Sequence, residues 1–126
     1  MTMDTINGYR AGMFDGEADV AWLRQGWRGL RFYGKRAQAA LAAGDHATKA
    51  EMILRADKLL DILTGILDTE SEASLGPALM TIYTALRYNL FRANAENNPA
   101  ALEDFETALA ILDRDMIKAS ESAIAA

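Results

Sequence analysis

Four runs of apolar residues advancing in steps of three and four, the first three followed by turn signals, confine this chain to an all-α fold. The first runs through Val20, Leu23, Trp27, Leu30, Gly34, Ala37 and Leu41, the stripe that a bundle helix turns toward its neighbours. Gly44 then offers a left-handed helix end, and Asp45 can accept hydrogen bonds from the first amides of the next helix, so the connection is short and antiparallel. The second helix, residues 46 to 68, places Met52, Ala56, Leu59, Leu63 and Ile66 on one face, with Ile53, Leu60 and Leu67 beside them. Thr69 to Ser74 form a polar, acidic connection. Pro77 is tolerated only within a first helical turn, where its missing amide hydrogen costs no helical bond, which sets the third start near Ser74. Leu75, Leu79, Ile82, Leu86, Leu90 and Ala93 carry that helix to Asn97, after which Asn98 can cap a fourth helix with Pro99 at its first position. Leu102, Phe105, Leu109, Leu112 and Met116 complete the fourth stripe. No segment alternates with period two, so an antiparallel up-down four-helix bundle over residues 18–120 is the economical architecture.

Residues 1–17 have a different character. Gly8, Gly12 and Gly16 discourage a stable helix, while Tyr9, Met13 and Phe14 are apolar anchors along the strip. Such a strip, extended or briefly helical, either lies across the bundle surface or is a frayed end. At 126 residues the chain fits one domain with a modest core. Thirteen Lys and Arg against 18 Asp and Glu leave a net charge of -5, which argues against a general nucleic-acid or membrane-surface binder. The absence of cysteine removes disulfides, thiol catalysis and thiolate metal sites, and fits a reducing compartment. No basic N-terminal segment leads into an apolar run, and no apolar stretch approaches the ~20 residues that span a bilayer; the expectation is a cytoplasmic protein without membrane insertion.

Catalysis finds no support in the residues. Paired-helix metal sites need Glu-x-x-His ligand pairs, and the single histidine, His46, has Ala43 and Lys49 three positions away on either side. Asp57 and Asp61 lie one turn apart but flank Lys58 on the polar side of the second helix, whereas acid-base work needs buried carboxylates with displaced pKa values. Gly26 and Gly29 read as seats for close helix packing rather than a phosphate loop. The expectation is a non-enzyme with no cofactor and no metal. Arg24, Arg28, Arg31 and Lys35 recur along one side of the first helix. They either hold an acidic partner or, the favoured reading, exchange ion pairs with Glu103, Asp104 or Glu106 of the fourth helix.

The second and third helices spread apolar residues over arcs wider than the ~100° a bundle helix needs. Ile53, Leu60, Leu67, Met80, Tyr83 and Phe91 are the surplus. They form a groove for a partner helix, a thicker core, or a homodimer interface.

The string Leu67-Asp68-Thr69-Glu70, followed in ungapped register by Ile82-Tyr83, Leu86, Leu90 and Ala93-Asn94, resembles the flagellin export chaperones. The register extends upstream through Leu59-Leu60, Arg55-Ala56, Gly44-Asp45 and Gly29 to Tyr9, and downstream through Asn97, Pro99 and Leu102. The resemblance implies a cytosolic chaperone that binds the disordered C-terminal segment of flagellin in apolar grooves, prevents its polymerisation and delivers it for export, with the flagellar export gate as a further partner. It also implies that an N-terminal segment bearing Tyr9, with Met13 and Phe14, covers part of the groove until flagellin arrives. The chain departs from the family pattern at several positions. Ala18-Asp19 replaces a Ser-Pro turn, Arg28 an acidic residue, Glu72-Ala73 a glycine pair, Ala85 an aromatic and Met116 a tryptophan. A different class of function, a structural or adaptor bundle that homodimerises through the same apolar surfaces without an unfolded client, is the alternative.

Overall fold

Gly44 and Asp45 do what their chemistry predicts. In the computed structural model, which describes residues 17–67 and 75–125, helix α1 spans Glu17–Ala42 and α2 spans His46–Gly65. Gly44 between them takes a φ of +74°. Its amide donates to the Leu41 carbonyl and that of Asp45 to the Ala40 carbonyl, which closes the end of α1. The Asp45 carboxylate accepts hydrogen bonds from the Thr48 amide at 3.1 Å and the Thr48 hydroxyl at 2.6 Å, and these hold it below the usual carboxylate range.

Helix α3 spans Gly76–Glu96 with Pro77 in its first turn, and α4 spans Pro99–Ala125. The turn between them is built as expected: Asn97 ends α3 in the left-handed conformation, with φ of 51°, and Asn98 caps α4 by accepting from the Ala100 amide at 3.0 Å. Tyr9, Met13, Phe14, the 68–74 connection and the side chain of Val20 lie outside the described residues.

Each helix packs against the next and α4 closes on α1, so the four form an antiparallel bundle, and no strand occurs among the described residues. The two seams of α1 are tight because glycines remove the side chains that would hold the helices apart. A Cβ at Gly26 would lie 2.8 Å from Leu63 Cδ2, and one at Gly34 would lie 3.0 Å from the Phe105 ring. Arg24 pairs with Asp113 at 2.8 Å and Arg31 with Glu106 at 2.7 Å, registering α1 against α4; the Glu106 hydrogen bond raises the Arg31 pKa. Glu106 is the partner expected from the sequence. Asp113 replaces Glu103 and Asp104, which point into solvent.

The core consists of the four inward stripes, including Leu23, Trp27 and Leu30 of α1 and all five residues expected of α4. Helices α2 and α3 are rotated relative to the sequence expectation. Ile53, Leu60 and Leu67 are core, while Leu59 and Ile66 are only partly buried at its edge; on α3, Tyr83 is core and Ile82 flanks it. Leu75 precedes α3 and is 38% exposed, contrary to its expected burial. Among the described residues no helix is long and apolar enough to cross a membrane.

Candidate functional site

The seam between α2 and α3 is the most open of the four. Its register is antiparallel and is fixed by polar side chains at two levels. At one end Lys49, a buried cation on α2, donates through Nζ to the Asn94 carbonyl at 3.1 Å and to Asn97 Oδ1 at 2.5 Å. Its charge therefore sits at the carbonyl end of α3, where the helix dipole favours a cation. About two turns along, Arg87 of α3 reaches back to α2: its Nε lies 3.3 Å from Asp57 Oδ1, and its Nη2 pairs with the Asp61 carboxylate. Asp57 and Asp61, weighed above as an acid and base, are thus the anions of a helix-to-helix clamp.

Between these polar ties lies a groove of about 250 Å³, lined by Ala50, Ile53, Leu54 and Asp57 of α2 and by Arg87, Leu90, Phe91 and Asn94 of α3. Ile53 and Leu90 are nearly buried and form its floor. Leu54 and Phe91 form its rim, 53% and 67% exposed. Ile62 of α2 and Tyr88 of α3 are also exposed, outside the lining of the groove. Large exposed apolar side chains beside a concave groove are a common feature of protein-binding surfaces. Among the described residues no group of His, Asp and Glu side chains is arranged to hold a metal ion.

Of the six side chains expected to bind a partner, Ile53 and Phe91 line this groove. Met80 is half-buried against the core, and Leu67 is buried. Leu60 and Tyr83 must be corrected: both are fully buried, so neither offers a surface in the free protein. Tyr83 is amphipathic and suits an interface, but its hydroxyl accepts a hydrogen bond from Trp27 Nε1 at 3.0 Å across the diagonal of the bundle, which satisfies it inside. The groove residue missed was Leu54, and Ile62 and Tyr88 are exposed apolar side chains outside it. Each lies off the main stripe among charged or polar neighbours, a placement that itself signals an apolar group left outside the core.

The family model described as Flagellar protein FliS matches residues 26–119, most of the bundle. The chain belongs to the FliS family. That membership supports a flagellar chaperone role rather than an enzymatic one, and implies a flagellin-type partner in general. No curated protein matches the chain at a significant level. Within the FliS fold, the α3 part of the string that carried the resemblance is largely internal: Tyr83, Leu86, Leu90 and Ala93 are all buried. It is chiefly a signature of how α3 packs, and the exposed rim around it is built from other residues.

Burial pushes the Tyr83 hydroxyl up to about 12, against a smaller opposing effect of the Trp27 hydrogen bond. A pKa raised above the unfolded value near 10 means that stability is intact below that pH. It is then lost as the unfolded chain ionises while the folded one holds its proton. Urea unfolding midpoints should therefore fall between pH 10 and 12 by the equivalent of about 2 to 3 kcal/mol more in the wild type than in Tyr83→Phe. Parallel declines in the two proteins would show that other groups govern the alkaline limb.

Proposed function

We propose that this protein is a cytoplasmic export chaperone that binds the disordered C-terminal segment of flagellin, keeps it from polymerising and delivers it to the flagellar export apparatus. The observation that carries the proposal is the α2–α3 groove, whose rim residues Leu54 and Phe91 stay exposed although the bundle core is already complete. A client helix with apolar residues one turn apart would cover both, each large side chain contributing ~1.5 to 3 kcal/mol before the cost of ordering the client. The polar ties at Lys49 and Arg87 keep the two walls in fixed register, so the protein need not reorganise to receive it.

The test is the isolated flagellin C-terminal peptide. Mixed with the full-length protein it should gain helix, because a disordered chain orders its backbone as it seats side chains at helical spacing. The circular dichroism of the mixture should exceed the sum of its parts. Additive spectra with no heat of mixing at tens of micromolar would remove the client. Self-association of the protein alone under those conditions would then favour the homodimeric adaptor.

The N-terminal strip belongs to the same proposal, with Tyr9, Met13 and Phe14 covering the groove in the free protein. A cover reduces apparent affinity by the fraction of molecules left open. Deleting residues 1–17 should strengthen peptide binding severalfold in a calorimetric titration and raise self-association together. Weaker binding after the deletion would instead make the strip a direct contact of the client.

A further inference from the structure

We propose that the outer face of α1 is a docking site for an acidic helix of a second protein, separate from the groove between α2 and α3. From Ala21 to Gly44 the chain contains no Asp or Glu but five cations, Arg24, Arg28, Arg31, Lys35 and Arg36, although its net charge is -5. So one-sided a helix concentrates positive potential on one wall of an acidic molecule.

The bundle itself shows what this helix takes. Arg24 and Arg31, seven residues apart, meet Asp113 and Glu106, also seven apart, on the antiparallel helix α4. Arg28 and Lys35 repeat the same seven-residue spacing further outward. Both are exposed, and neither has an ion-pair partner among the described residues. Between them Phe32 stands 54% exposed, with the Arg36 guanidinium 5.7 Å from its ring centre. The arrangement is an apolar anchor framed by cations over about two helical turns, roughly 12 Å. Its complement is a helix with carboxylates seven residues apart and an apolar side chain between them. A nucleic acid fits less well, because the acidic remainder of the molecule repels a polyanion, whereas a short segment with two or three carboxylates feels chiefly the local face. Since α1 touches α2 and α4 and lies diagonally from α3, a helix seated on its outer side leaves the α2–α3 groove open.

The experiment uses the full chain and a fluorescent helical peptide of about 18 residues, two Glu seven apart flanking a Leu, with a Lys-for-Glu peptide as control. The acidic peptide should bind with a Kd below about 100 µM at low salt and weaken as salt rises, while the control does not bind. Arg28→Glu/Lys35→Glu should weaken it at least tenfold and Phe32→Ser severalfold, both variants keeping the wild-type melting temperature. The doubly reversed variant should still bind flagellin C-terminal peptide as the wild type does. Equal binding of the acidic peptide to wild type and charge-reversed protein overturns the proposal, as does no binding up to about 1 mM. Tighter binding of a single-stranded oligonucleotide or of phosphatidylglycerol vesicles would overturn it in favour of that surface. Loss of flagellin peptide in the charge-reversed variant would merge this face with the client site and overturn the claim of a separate one.

Discussion

Tyr83→Glu is expected to abolish the fold. The side chain is fully buried and the polar group bonded to it is the Trp27 indole N–H, which donates to its hydroxyl. A carboxylate there loses its hydration for a single neutral donor, a penalty of several kcal/mol on a protein whose total stability is of the order of 5–15 kcal/mol. Leu60→Glu, at an equally buried apolar position of α2, should behave the same way. Tyr83→Phe is the milder control: it keeps the ring but strands the Trp27 N–H in the core, at about 1 to 3 kcal/mol. Circular dichroism melts distinguish these outcomes. A cooperative transition for Tyr83→Glu within a few degrees of wild type would mean that the side chain can leave the core, and the burial of the Trp27–Tyr83 pair would not describe the protein in solution.

Most of the fold is legible in the sequence because helix ends and helix stripes are local. Gly44 with Asp45, and Asn97 with Asn98 and Pro99, mark two turns through backbone conformation and capping chemistry that involve neighbours within a few residues. The stripes of α1 and α4 are narrow and have one possible inward face. Helices α2 and α3 are apolar over nearly twice that arc, and periodicity cannot say which half turns inward. Packing decides it. Glycines at 26 and 29 bring α1 onto Leu63 and Leu59 of α2, and Arg87 pins α3 against Asp57 and Asp61, which together rotate Leu60 and Tyr83 into the centre.

The hydrogen bond that makes Tyr83 a core residue joins positions 56 apart in the chain, so no local pattern announces it. Groove residues escape notice for the complementary reason. Leu54 sits among Glu51, Arg55 and Lys58, and a stripe-based reading discards it as an isolated apolar residue on a polar face. Phe91 is recognisable because it falls beside the Leu86, Leu90 and Ala93 stripe rather than on it.

Phe91→Glu and Leu54→Glu, in contrast to Tyr83→Glu, should leave the bundle folded and remove its client. Both side chains are more than half exposed in the free protein, so the new carboxylate remains hydrated and the melting temperature should shift by no more than a few degrees. With a client helix seated in the groove, the same carboxylate faces an apolar side chain without water. The expected loss is more than ~2 kcal/mol in binding, or at least about thirtyfold in Kd for the flagellin C-terminal peptide. Ile111→Glu supplies the control, since Ile111 is a comparably exposed apolar residue on α4, the helix diagonal to α2, and its replacement should change neither stability nor binding. Calorimetric titration of the three variants decides the matter. If Phe91→Glu and Leu54→Glu bind peptide as tightly as Ile111→Glu does, the client lies elsewhere on the bundle, and the α2–α3 groove is not its site.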